Sequence, residues 1–359
     1  MSHGTGPTRW QAAWLQGARR RGPMACLLWP VSLLYRGLIA LRRGLYAAGT
    51  LQVHRVGVPV IVVGNVVVGG AGKTPCTIAL VAHLQAQGWR PGVVSRGHGR
   101  SGTGVTHVDA DTPATEAGDE PLLIHRRTGA PVCVASRRVD AARALLAAHP
   151  QVNVLVCDDG LQHLALGREL AIVVFDDRGS GNGWLLPAGL LREPWPPAPG
   201  MPFRPDIVLR QGREGGQTAA AAAPGMPTFD AVRRLATHAT GPRGQRIPLT
   251  ELRGQDLVAT AGIARPQVFF DMLHERGLSL VQQVALPDHA DASVYAALLR
   301  DCPHPVICTE KDAVKLFALL PPGAPDAPVR AWAVPLELTP DPAFFAAIDA
   351  RLAALQADR

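Results

Sequence analysis

A doubly wound α/β fold on a parallel sheet is predicted by three features of the sequence. Valine-rich apolar runs recur at residues 60–63, 152–157 and 170–175, each the length of a buried strand. Segments that read as helices lie between such runs, which implies parallel strands with helices on both faces. Each run also ends in a polar or glycine-rich cluster, and in such sheets ligands gather at the carboxyl ends of the strands.

The first cluster is the most informative. Residues 58–75 read VPVIVVGNVVVGGAGKTP, a buried strand that breaks into a glycine-rich turn and ends in Lys73-Thr74. Glycines let backbone N–H groups approach phosphate oxygens, and a helix N-terminus adds a favourable dipole. The lysine reaches the outer phosphates and the threonine hydroxyl ligates Mg²⁺. The pattern GxxxxGK[ST] would place glycine at position 67, where this chain has Val67. Lysine usage supports a phosphate site: Lys73, Lys311 and Lys315 are the only lysines, and arginine carries nearly all other positive charge.

The remaining elements follow in order. Residues 77–84 read as a helix, 91–95 as a strand, 122–127 as a helix, 132–135 as a strand and 140–148 as a helix. Glycine and threonine through residue 106 predict a mobile surface loop. One more strand is expected at 207–209, after the proline-rich stretch 187–205. A poly-alanine and glycine tract at 212–225 reads as a variable loop. A second unit then begins, with strands at 257–261, 278–284 and 306–309 and helices at 266–276, 294–300 and 341–355. The expected organisation is an amino-terminal arm at 1–50, a P-loop core at 51–210, a linker at 211–250, and a smaller α/β domain at 251–359.

Composition narrows the class. The chain has 359 residues, 47% of them hydrophobic and 18% charged, which suits two globular domains. Its six cysteines form no CxxC pair, which argues against a zinc ribbon or disulfide framework. Net charge is +7, and no Asp or Glu precedes Asp109. The arm carries Arg9, Arg19, Arg20, Arg21, Arg36, Arg42, Arg43 and Arg55 around an apolar stretch at 24–41, interrupted by Pro30 and Arg36. It reads as an interfacial helix that places its apolar side in lipid and its arginines at anionic headgroups. A buried core helix is the alternative.

Asp158 and Asp159 follow a hydrophobic strand, as Walker B acids do, and adjacent carboxylates there call for a cation. Asp176 and Asp177 look similar but also suit caps or ion-pair partners for Arg178. The sequence 118–121, GDEP, reads equally as a helix start with an acidic first turn. A GTP-binding switch is disfavoured, because Lys311 and Asp312 are adjacent where [NT]KxD needs a spacer. Nucleic-acid binding lacks interleaved aromatics and leaves the acid pairs unexplained. A membrane-associated P-loop ATPase of the partitioning type remains an alternative.

Eight motifs occur in a distinctive order: GNVVVGGAGKTP, VVSRGHG, GDEP, DDGLQH, GNGWLLPAGLLREP, AGIARPQVFF, PDHA and TEKDAVK. Together they resemble tetraacyldisaccharide 4′-kinase, over residues 33–316. The resemblance implies a P-loop NTPase-like fold with a membrane-associated amino-terminal helix and a smaller domain closing over the cleft. It implies ATP- and Mg²⁺-dependent phosphorylation of the 4′-hydroxyl of an acylated glucosamine disaccharide 1-phosphate, a step of lipid A biosynthesis. The expected location is the cytoplasmic face of the bacterial inner membrane, with no nucleic acid and no protein partner. By resemblance, Val67, Val68, Gly69, Gly70, Ala71, Gly72, Lys73 and Thr74 hold the ATP phosphates. Asp119 is the base, paired with His289, and Lys73 stabilises the transferred phosphoryl group. Thr74, Glu120, Asp158 and Asp159 lie on the Mg²⁺ side. Arg96, Gln162 and His163 lie near the acceptor. Two positions depart from the family: His98 replaces the usual tyrosine, and Val67 a frequent threonine.

Overall fold

The computed structural model describes residues 17–18, 20–213, 223–288, 290–320 and 330–357. The larger of its two sheets has nine strands. Its centre is β1 (Val60–Gly64), flanked in parallel by β5 (Val154–Asp158) and β6 (Leu170–Phe175). Beyond β5 lie β2 (Pro91–Ser95), β4 (Val132–Val134) and, antiparallel at the edge, β3 (Thr106–Val108). Beyond β6 lie β7 (Ile207–Arg213), β8 (Thr228–Leu235) and, antiparallel, β15 (Leu336–Pro340). Every residue of β1, β5 and β6 is buried, because both faces of the sheet are covered.

On one face lie α2 (Lys73–Ala86), α4 (Asp119–Thr128) and α9 (Pro342–Ala357). Their Leu80, Leu84, Leu122, Ile124, Phe344 and Ile348 pack on Ile61, Val63 and Ile172. On the other face lie α5 (Arg138–Ala148) and the non-helical segment 182–203, packed on Val60, Val62 and Val173. A one-turn helix, α3 (Ala114–Ala117), precedes α4.

The six-stranded sheet runs β10 (Arg246–Pro248), β9 (His238–Thr240), β14 (Ala331–Val334), β13 (Val306–Thr309), β11 (Asp256–Ala261) and β12 (Ser279–Ala285). Helix α6 (Pro266–Glu275) covers one face through Phe269, Phe270 and Leu273. Helices α7 (Ala292–Asp301) and α8 (Glu310–Leu316) cover the other through Tyr295, Leu299 and Leu316.

The sheets divide the chain differently from the expected 211–250 linker and 251–359 unit. Strands β7 and β8 extend the large sheet to residue 235, and β15 with α9 returns to it at 336–357. Leu336 pairs with Leu235, so the two passages between sheets run side by side. Thr106, expected to end a mobile loop, opens β3 and pairs with Val134 of β4 instead. Part of the alanine and glycine tract, at 214–222, lies outside the described residues.

Helix α1 (Pro23–Ala47) runs through Pro30 without a break. It docks by one stripe: Ala25, Ser32 and Arg43 are buried, and Tyr35 and Ile39 pack on the core. Ser32 Oγ donates to Leu185 O at 2.9 Å, Tyr35 Oη donates to Arg192 O at 3.1 Å, and Arg43 pairs with buried Glu193. The opposite stripe, Leu27, Leu34, Leu38 and Leu41, is 60–73% exposed.

Candidate active site

Between β1 and α2 the chain passes through the glycine loop. Val67 forms an antiparallel bridge with Leu191, so its backbone is extended and needs no glycine. The left-handed positions fall at Gly69 (φ 86°) and Gly72 (φ 72°), which accounts for the departure at 67. A Cβ at Gly72 would also collide with Gln211 Oε1. Lys73 is the first residue of the fourteen-residue α2. Its Nζ lies 3.4 Å from Asn65 Oδ1 and 3.5 Å from Asp159 Oδ1. Thr74, the next residue, lines a cavity between the two sheets.

The acid pair stands at the end of β5, beside the loop. Asp158 Oδ1 accepts from Thr77 Oγ1 at 2.8 Å, while the buried Oδ2 has no hydrogen-bond partner among the described residues. Burial, reinforced by Glu120 and Asp159, pushes the Asp158 carboxyl up to about 7. Asp159 adopts φ 48°, rare for a non-glycine residue, and lies 3.6 Å from Arg192. An orphaned carboxylate oxygen among crowded acids is a donor set that fits a divalent cation. Among the described residues no three such groups form a ready-made cluster. Mg²⁺ characteristically takes one or two carboxylates and completes its shell with phosphate and water.

The GDEP acids open α4. Neither caps the helix; both face the smaller sheet's elements. Buried Asp119 accepts from Lys315 Nζ at 2.9 Å, and Glu120 lies 3.3 Å from Lys311 Nζ. Lys311 also donates to Asp288 at 2.7 Å. Burial opposes the Lys311 charge, but Glu120 and Asp288 hold its pKa above the ordinary value. His289 lies outside the described residues. Its neighbour Ala290 accepts from Lys315 at 3.1 Å, which puts that loop beside the partner of Asp119. Exposed Arg96 follows β2, and a Cβ at Gly118 would lie 3.0 Å from His98 O. The loop bearing Arg96 and His98 therefore packs against the residue preceding Asp119.

Gln162 bridges two regions: its Nε2 donates to Asn65 O at 3.1 Å, and its O accepts from Arg42 of α1 at 3.0 Å. His163 is pushed down to about 4, first by burial and then by Arg138, Arg42, Arg168 and Arg137. Asp176 and Asp177 serve as ion-pair partners. Asp176 lies 2.8 Å from Arg178 Nε, and Asp177 pairs with Arg265.

A cavity of about 200 Å³ opens between the sheets. One wall is the glycine loop with Lys73, Thr74 and Glu120; the other is apolar, with Ile263, Val268, Phe269, Met272, Val334 and Leu336. Sequence reasoning missed Asn65, Thr77, Arg192 and Gln211, and left the wall's location open. Asn65 stands just past β1, but Thr77 lies inside α2, Arg192 in the non-helical segment 182–203 and Gln211 on β7, where nothing local marks them. The pairing of Lys311 with Glu120 and of Lys315 with Asp119 had no local signal, since these acids lie 191 and 196 residues away along the chain.

The fold and the sequence have counterparts among known proteins. Residues 24–353 match the family model described as tetraacyldisaccharide-1-P 4′-kinase. A tetraacyldisaccharide 4′-kinase from Acidovorax sp. (strain JS42) is 56% identical over 342 residues, 95% of each chain. One from Polaromonas naphthalenivorans (strain CJ2) is 54% identical over the same share. A crystal structure of LpxK from Aquifex aeolicus in complex with ATP superposes with a TM-score of 0.75. That match has 26% identity and covers 92% of this chain and 99% of the other. A match spanning both sheets and the helix that docks on them means that the chain belongs to the tetraacyldisaccharide-1-P 4′-kinase family.

Proposed function

We propose that this chain transfers the γ-phosphoryl group of ATP to the 4′-hydroxyl of tetraacyldisaccharide 1-phosphate, a step of lipid A biosynthesis. The observation that carries the reading is that Lys73 and Glu120, which line the cavity between the sheets, stand beside the acid pair Asp158 and Asp159. Family membership supplies the acceptor.

Lys73 and the loop amides would bind the β- and γ-phosphates, and the apolar wall suits a flat purine base. Thr74, Glu120, Asp158 and Asp159 would hold Mg²⁺, which when bound neutralises charge on the phosphates. Asp119 would accept the hydroxyl proton, with His289 sharing it, and Lys315 holds the Asp119 carboxylate in place. Arg96, Gln162 and His163 would line the acceptor side. The exposed apolar stripe of α1 supports residence on the anionic cytoplasmic leaflet, where a substrate with several acyl chains is found. The helix is also long and apolar enough to cross a bilayer. Closure of the smaller unit over the cleft would exclude water from the γ-phosphate.

Thin-layer separation after incubation with γ-labelled ATP and the lipid disaccharide tests this reading. Label should enter the lipid. Release of label only as inorganic phosphate would favour the partitioning-type ATPase.

A further inference from the structure

Five carbonyl oxygens of the glycine loop are held by three side chains from three different places in the large sheet. Asn65 Nδ2, just past β1, donates to Val67 O and, at 3.4 Å, to Gly69 O. Arg178, in the turn after β6, spans two more: Nη1 to Val68 O at 3.0 Å and Nη2 to Gly70 O at 2.9 Å. Gln211 Nε2, on β7, donates to Gly72 O at 2.9 Å. Asn65 and Gln211 are fully buried, and the Arg178 side chain is 7% exposed. Arg178 is itself aimed, because its Nε donates to both oxygens of buried Asp176 at 3.0 and 2.8 Å.

A trans peptide points its C=O and the following N–H in opposite directions. Carbonyls of 68, 69, 70 and 72 turned onto these side chains therefore turn the amides of 69, 70, 71 and 73 the other way. The cavity lined by residues 70–74 lies beside them. A glycine loop free to sample many backbone states would have to be ordered as the nucleotide binds, at a cost in affinity. We infer that Asn65, Arg178 and Gln211 are positioning residues that fix the loop amides as an anion cradle before ATP arrives. This rests on reading the cavity as the ATP site.

The test measures ATP affinity by equilibrium titration, with the KM values for ATP and lipid, in the full-length enzyme. Arg178→Met should weaken ATP binding about tenfold or more and leave the lipid KM unchanged. Arg178→Lys keeps the charge but cannot span two carbonyls while holding Asp176, so the defect should persist. Guanidinium ion added to Arg178→Ala should restore part of the lost affinity. Gln211→Leu touches no charge, should act in the same direction, and decides the question if the Arg178 variants do not fold. Parental ATP affinity in Arg178→Met and Gln211→Leu, alongside its loss in Lys73→Ala, would overturn the inference and leave the site reading intact. If Lys73→Ala also binds and turns over ATP normally, the site reading itself falls.

Discussion

Burial moves two side chains at the site in opposite senses. It raises the Asp158 carboxyl to about 7, where Glu120 and Asp159 add to the effect, and lowers His163 to about 4, where four arginines add to it. Both shifts disfavour the charged form. For His163 the unfolded chain binds the proton more readily than the folded one. Its neutral form therefore contributes stability that is present above about pH 6.5 and lost as pH falls toward about 4. His163→Gln should flatten the fall in Tm between those pH values, measured by calorimetry without nucleotide. Parallel curves for parent and variant would mean that His163 is not held neutral. At this scale, Lys73 was legible because it closes a glycine-rich turn, and Asp158 and Asp159 because they stand at the end of an apolar run. The lysines of TEKDAVK were visible as rare residues, but their carboxylate partners are brought to them by the topology of two sheets.

Among the elements, α1 joins the site to an apolar surface. Its docked positions 25, 28, 32, 35, 39 and 43 recur at helical spacing, and so do the exposed apolar positions 27, 31, 34, 38 and 41. The two stripes were not separable in the sequence, because the docked side is held by one hydroxyl, one phenol and one buried ion pair and not by a run of leucines. Removing the whole helix would strand Glu193, so substitutions on the exposed stripe are the cleaner probe. Replacing Leu27, Leu34 and Leu38 together with glutamine should release the protein from anionic vesicles in a flotation assay. ATP affinity should remain parental. Unchanged flotation would point to another contact surface. Strands β8 and β15 escaped sequence reading for a related reason. Strand β8 is buried only at Ala231 and Leu235, β15 alternates half-buried and exposed positions, and the two carry Arg233, Arg234 and Glu337 and lack the valine runs of the central strands.

At the scale of the whole molecule, two sheets share one cleft, joined by two adjacent passages at Leu235 and Leu336. Ion pairs cross it: Lys315 to Asp119, Lys311 to Glu120, Arg127 to Glu310, and Arg265 to Asp177. Such a joint permits closure with few backbone changes, and closure would join the two halves of the acid–base machinery. The return of β15 and α9 to the large sheet was hidden in the sequence, since chain order alone suggests that the second unit runs to the end. We propose that Asp119 on the larger unit accepts the hydroxyl proton together with His289 on the smaller one. A double-mutant cycle on kcat, with ATP and lipid saturating, tests it most directly. Asp119→Ala and His289→Ala should each lower kcat by about 10²–10⁴. The double variant should be little slower than the worse single one, because residues acting as a unit are not additive. Full turnover in Asp119→Ala, or losses that simply multiply, would contradict the account.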